Sequence, residues 1–283
     1  MKTIFVTGTD TGVGKTWVSC LIIRQLRSLG LRVGAYKPVC SGASVDSQGK
    51  LRWDDVELLS RACDTDPPLD LVCPQRFAAA VAPNVAARLQ GTSVDDRVLS
   101  TGIELWRSRA DWLIVEGAGG LYCPLSDARG VLDLAMELSG PVVVVAANRL
   151  GAISHSRLTV GTLKSCGLSV AALVLNEVHA AQEAGPADVF TVDRVRTRLK
   201  SDLHIGRQEQ SEQKLAVQAG AAARTNADQL RQWIPDVSLL HCGWQADALT
   251  VIAKPQHELT ENEFLSLITN SPNSAHHPAS DFK

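Results

Sequence analysis

A chain of 283 residues has the length of one large domain, or of a domain with an appendage, and can bury a substantial core. Its net charge of −2 and isoelectric point of about 6.4 supply no basic field of the kind that nucleic acid requires. No apolar run approaches the roughly 18 residues of a membrane span and the N-terminus opens on a strand rather than a leader, so a soluble, cytoplasmic protein is expected.

The first element is an apolar run at Ile4, Phe5 and Val6, which reads as a buried strand. After a glycine-rich turn, Lys15-Thr16 opens a segment with apolar residues at Val18, Leu21, Ile22, Leu26 and Leu29, a helical spacing closed by Gly30. Further strands are expected at Leu31–Tyr36, Trp112–Val115, Val142–Ala147 and Val170–Leu175, with a weaker one at Val237–His241. Helices are expected near Asp54–Cys63, Val94–Arg107, Val131–Leu138 and Ser154–Cys166. Short continuous apolar strands alternating with helices predict a doubly wound α/β domain of P-loop NTPase type, its mostly parallel sheet covered by helices on both faces. Ligands then sit at the carboxyl ends of the strands.

Residues 1–269 read as this single domain. Within it, His179 to Thr225 is rich in Ala, Gln, Glu and Arg and reads as an insertion, and the tail Asn270 to Lys283, with His276-His277, reads as disordered. The seven cysteines (Cys20, Cys40, Cys63, Cys73, Cys123, Cys166 and Cys242) are scattered without a C-x-x-C pair, which points to free thiols rather than disulfides or zinc.

Strand, glycine loop, Lys15-Thr16 and helix together make a phosphate-binding P-loop. Loop N–H groups and the helix N-terminus face phosphates, while the lysine and hydroxyl reach the terminal phosphate and Mg²⁺. The pattern is not the plain one, because Thr9 stands where glycine is usual and the glycine is Gly8. A second lysine, in Tyr36-Lys37-Pro38-Val39-Cys40-Ser41-Gly42, follows the second strand, so that Lys37 and the Ser41 hydroxyl can converge on one anion. Asp54 and Asp55 open a helix, where acids serve as caps or as metal ligands. Glu116 ends a buried strand before Gly117-Ala118-Gly119-Gly120. An acid there is costly without a task and suits holding Mg²⁺ or its water.

Gly8 to Thr16, Tyr36 to Gly42, Asp55, and Glu116 to Gly120 ahead of Pro124-Leu125-Ser126 resemble the dethiobiotin synthetase family in order and spacing, from Thr3 to about Asn176. The resemblance implies an ATP-dependent ring closure. One amine of 7,8-diaminononanoate takes up CO2 as a carbamate, ATP phosphorylates it, and the second amine displaces phosphate to give dethiobiotin. It implies nucleotide contacts from Gly12, Val13, Gly14, Lys15, Thr16, Glu116, Gly117, Ala118, Gly119 and, at adenine, Asn176. Mg²⁺ would be held by Thr16, Asp55 and Glu116, with Lys15, Lys37 and Thr11 catalytic and Thr11 and Ser41 on the carbamate. The turn Gly151-Ala152-Ile153-Ser154, in which Ser154 is the expected helix N-cap, would receive the substrate's carboxylate from a neighbouring subunit, which implies a homodimer.

The chain departs from the family pattern in three places. Alanines fill Ala78 to Ala80 and Asn84 replaces a frequent histidine on the substrate side. The late Gly-x-Ile-Pro segment beside the base is replaced by Leu239-Leu240-His241-Cys242-Gly243-Trp244, and His179 to Thr225 has no counterpart. Two alternatives follow: a related ligase acting on another amine, and a nucleotide-switched partitioning-type ATPase. The second lacks its signature lysine, since Asp10 stands at that position.

Overall fold

A computed structural model describes residues 1–178, 225–243, 246–251, 257–258, 262 and 265–266. Apart from Thr225, the expected insertion His179 to Thr225 lies outside the described residues, as does the tail Asn270 to Lys283. In chain order, β1 (Lys2–Gly8) leads through the P-loop into α1 (Lys15–Ser28) and β2 (Val33–Tyr36). Short elements follow: β3 (Val39–Ser41), β4 (Ser44–Val45), β5 (Leu51–Arg52), α2 (Asp54–Ala62), α3 (Leu69–Val72), β6 (Gln75–Phe77), α4 (Pro83–Leu89) and α5 (Asp96–Thr101). Then come β7 (Trp112–Gly120), α6 (Val131–Leu138), β8 (Val142–Ala147), α7 (Ala152–Ser165) and β9 (Val170–Asn176). Beyond a helix over 225–233 lie β10 (Ser238–Cys242), β11 (Thr250–Val251) and β12 (His257–Glu258).

The main sheet has the order β12-β11-β10-β9-β8-β1-β7-β2 and is parallel from β10 to β2, with β11 and β12 antiparallel at one edge. The strands beside β1 are continuous Val, Ile, Leu and Ala runs because helices cover both of their faces; Ile4, Val6, Leu113, Ile114, Val144 and Val145 are fully buried. From β1 the crossover through α1 runs one way, to β2, while that from β7 through α6 returns past β1 to β8. Right-handed crossovers in opposite directions put α1 on one face and α6 and α7 on the other. The carboxyl ends of β1, β7 and β8 meet at this reversal, where such sheets bind ligands.

Local differences from the sequence reading have local causes. The second strand begins at Val33 rather than Leu31 because residues 29–31 finish α1: Gly30 takes a left-handed φ of 77° and the Leu31 N–H returns to the Leu26 carbonyl. The expected helix Val94–Arg107 is two pieces, α5 capped by the Asp95 carboxylate and a 3₁₀ turn over Gly102–Trp106. They break at Gly102, where a Cβ would lie 2.1 Å from the Tyr36 hydroxyl. Ser154 is not the N-cap of α7. Gly151 is, with a left-handed φ of 96°, and its carbonyl already accepts the His155 N–H, so Ser154 falls inside the first turn.

Candidate active site

Gly12 and Gly14 in the P-loop adopt φ of 73° and 86°, and Gly14 caps α1 by accepting the Val18 N–H at 3.1 Å. Gly14 admits no side chain. A Cβ there would lie 2.1 Å from Asn176 Nδ2, which itself donates to the Val13 carbonyl at 2.9 Å. Asn176, at the end of β9, therefore braces the loop. Lys15 folds back across it, its Nζ donating to the Asp10 carbonyl at 3.1 Å. Burial holds the Lys15 ammonium below its ordinary pKa, the Glu116 charge opposing and the Lys37 charge adding to the effect.

Lys37, Asp55, Glu116 and Thr16, far apart in the chain, converge beside the loop. Glu116 is 1% exposed. Its Oε1 accepts from the Thr16 hydroxyl at 2.8 Å and from Lys37 Nζ at 2.9 Å, while Oε2 accepts from the Ser19 hydroxyl at 2.6 Å. Lys37 Nζ also lies 2.5 Å from Asp55 Oδ2. Burial lowers the Lys37 pKa, but the Asp55 and Glu116 carboxylates outweigh it and hold the ammonium well above its ordinary value. The Lys37 charge in turn depresses the Asp55 carboxyl. Asp54 is exposed on the neighbouring position, and Asp55 makes the contact.

Ser41 sits where β3 pairs with β6, its hydroxyl donating to the Val81 carbonyl at 2.5 Å, which leaves its oxygen lone pairs to accept. At the end of β7, Gly119 has a φ of 63° and a Cβ there would lie 2.9 Å from the Cys123 sulfur, so the chain passes close to the loop at Thr11. A cavity of about 690 Å³ joins these pieces, lined by Thr11, Lys15, Thr16, Lys37, Ser41, Asp55, Trp17, Asn176 and Glu177; Lys37 follows β2 and Asn176 and Glu177 stand at the end of β9, strands that lie apart in the sheet. Gly12, Gly14, Ala118 and Gly119 also line it, whereas Val13 is buried beneath the loop. Gly151, Ala152, Ile153 and Ser154 form the turn after β8 and do not line this cavity.

Thr16, Asp55 and Glu116 offer an all-oxygen donor set with two carboxylates, the chemistry that a hard cation such as Mg²⁺ takes together with phosphate oxygens. The set fits that ion. Two lysines, a helix N-terminus and a cation held by this donor set would together neutralise several phosphate charges at one point.

Sequence reasoning missed Ser19, Trp17 and the acid Glu177. Glu177 Oε1 is held by Asn148 Nδ2 at 2.6 Å and His241 Nε2 at 3.0 Å, and Asn148 is fixed by the buried Asn226. Ser19 carried a signal: it stands three residues after Thr16, on the same helix face, as a polar residue in an apolar stripe.

An AAA domain family model matches residues 2–208. The chain is 42% identical over 196 residues to the ATP-dependent dethiobiotin synthetase of an Anaeromyxobacter species, covering 68% of this chain and 86% of that protein. It is 37% identical over 177 residues to an ATP-dependent dethiobiotin synthetase of Escherichia coli K12, covering 62% and 78% respectively. Among solved structures, the septum site-determining protein MinD of Pyrococcus horikoshii aligns over 62% of this chain and 70% of its own at 18% identity, with a TM-score of 0.39.

Proposed function

The chain belongs to the dethiobiotin synthetase family and is an ATP-dependent ligase, and from that premise we propose that it closes the ureido ring of dethiobiotin from 7,8-diaminononanoate, CO2 and ATP. The observation that carries the reading is the meeting of Lys37, Asp55, Glu116 and Thr16 beside Ser41 at the head of the P-loop.

One amine of the diamine adds CO2 and loses a proton, giving a carbamate. A carbamate oxygen then attacks the γ-phosphorus, ADP leaves, and a carbamic-phosphoric anhydride forms. The second amine attacks the anhydride carbon and gives up a proton as inorganic phosphate departs, and the ring closes. Two anions must come together in the second step, so neutralisation and positioning dominate. Lys15 and Lys37 supply fixed positive charge on either side of the γ-phosphate. Thr11 donates a hydrogen bond to the carbamate oxygens, Ser41, whose proton is taken by the Val81 carbonyl, accepts from the carbamate N–H, and the loop N–H groups of Gly12 to Thr16 hold the remaining phosphates. Mg²⁺, held by Thr16, Asp55 and Glu116, supplies further charge neutralisation on the phosphates when bound. Gly117, Ala118 and Gly119 bring backbone within reach of them, and Asn176 flanks the base.

As the family resemblance implies, the substrate's carboxylate would be received by the Gly151–Ser154 turn of a second copy; the absence of an acidic residue from the first turn of α7 suits an anion there. A homodimer is part of the proposal. Among the described residues no helix is long and apolar enough to cross a membrane. A related ligase acting on another amine is the second reading, favoured by the apolar wall that Ala80, Val81 and Ala82 give the cavity.

The test is phosphate release from ATP and Mg²⁺ with bicarbonate, with and without 7,8-diaminononanoate, while the ureido product is followed by mass. Diamine-dependent release with dethiobiotin appearing is expected. ATP hydrolysis or binding indifferent to that diamine would overturn the substrate assignment.

A further inference from the structure

The cavity holds an aromatic side chain that the ring closure above does not use. Trp17 directly follows the phosphate-binding Lys15-Thr16 pair, in the first turn of α1. A nucleotide whose terminal phosphates lie at Lys15 and Thr16 places its nucleoside beside the next residue along, next to Asn176 and Glu177, which also line the cavity.

The indole is held in place from behind. Trp17 is half-buried and packs on the hydrophobic core, while part of its ring lines the cavity. Its indole N–H is buried without a nitrogen or oxygen acceptor among the described residues and faces the Cys242 thiol at the end of β10. Burial pushes that thiol up to about 11, so it stays a neutral sulfur neighbour for the ring. Cys242 belongs to the segment Leu239 to Trp244, where the family's base-bordering pattern is absent. The altered segment therefore lies beside the large ring on α1.

We propose that Trp17 is the platform on which the base of the bound nucleotide stacks, and that it sets a preference for purine over pyrimidine triphosphates. The proposal rests on the nucleotide-binding reading above and adds a residue and a selectivity to it. An indole face offers its largest overlap to a purine, and stacking of this kind tolerates any base but scales with ring area.

The experiment compares ATP, CTP and inorganic tripolyphosphate, each with Mg²⁺, by calorimetric titration of the wild-type chain, Trp17→Phe and Trp17→Ala. Tryptophan fluorescence is recorded in parallel. We expect Trp17→Ala to weaken ATP by about tenfold and CTP by less, narrowing the ratio between them, with tripolyphosphate binding unchanged. Trp17→Phe should retain most of the ATP affinity. ATP, but not tripolyphosphate, should quench wild-type fluorescence, and the quenching should disappear in Trp17→Phe. Equal weakening of ATP and tripolyphosphate in Trp17→Ala would show a distorted P-loop instead and overturn the platform. So would unchanged ATP affinity. A wild-type chain that binds tripolyphosphate and ATP equally well would overturn the platform while leaving the phosphate site standing; binding neither would remove both readings.

Discussion

The Ser19 hydroxyl donates to Glu116 Oε2 at 2.6 Å, and both side chains are buried. This bond fixes the carboxylate plane, so that Oε1 is turned to Thr16 and Lys37. Among the described residues Ser19 is the donor to Oε2. Ser19→Ala therefore leaves half of a buried carboxylate without its partner, a loss of about 2 kcal/mol by the usual worth of a hydrogen bond to a charged group. Urea unfolding should show that loss. Calorimetry should show the Mg²⁺ concentration that half-saturates ADP binding rising several-fold, with Ser19→Thr, which keeps the hydroxyl, closer to wild type. An alanine variant matching wild type in both measurements would remove Ser19 from any positioning role.

Lys37 is held by two carboxylates, one buried and one at the surface. Replacing it by alanine leaves Glu116 buried without its cation, which costs about 3–5 kcal/mol when a buried pair is broken. Turnover should fall by roughly 10²–10³-fold or more, since one charge aimed at the transferred phosphoryl group is lost. Lys37→Arg should not restore it, because a planar guanidinium cannot replace a point charge wedged between Asp55 and Glu116. Denaturation and phosphate-release assays on both variants decide this. Comparable turnover by either variant would dismiss the proposed role of Lys37.

Why those two residues differed in legibility is a matter of what each leaves in the sequence. Lys37 and Glu116 each directly follow an apolar run, where a charge stands out and the sheet's geometry says which edge it approaches; Lys37 comes just after β2, and Glu116 lies inside β7, which continues past it. Ser19 and Trp17 lie inside a helical stripe, where a polar or aromatic residue reads as part of the packing. The same contrast holds for the elements. Val131–Leu138 and Val142–Ala147 coincide with their expected bounds because their apolar patterns stop at Ser139 and Asn148. By contrast, β7 runs on from Val115 to Gly120, since Gly8 and Gly120 still pair across the ladder although glycines carry no apolar signal. The pieces β3 and β6 are three residues each and owe their existence to each other. No local periodicity could reveal them.

Glu177 gives a pH prediction. The hydrogen bond with His241, followed by that from Asn148, holds its carboxyl below the ordinary value of 4.5, against the opposing effect of burial. A group whose folded value is depressed stabilises the fold above its unfolded value and loses that contribution as pH falls through the folded one. The stability gap between wild type and Glu177→Gln should therefore shrink as pH falls below about pH 4.5. Urea unfolding at a series of pH values measures it. A gap that holds constant or widens below about pH 4.5 would contradict the arrangement at Oε1.

Gly14 and Asn176 should be energetically coupled. Alanine at position 14 meets two obstacles: the left-handed φ of 86°, and Asn176 Nδ2 at 2.1 Å from the new Cβ. The first costs about 1–2 kcal/mol for an L-residue, and the second adds displacement of Asn176 and loss of its 2.9 Å bond to the Val13 carbonyl, about 1 kcal/mol. Asn176→Ala alone loses that bond but relieves nothing. In the double variant the clash has no partner, so only the backbone strain and the missing bond remain. Unfolding free energies of the four proteins should show the double variant more stable than the sum of the two single losses allows, by roughly 1 kcal/mol or more. Strictly additive losses would mean that Asn176 swings clear at no expense, and that it does not brace the P-loop. ATP binding should stay impaired in the double variant, because the strained cap at residue 14 still distorts the N–H groups that face the phosphates.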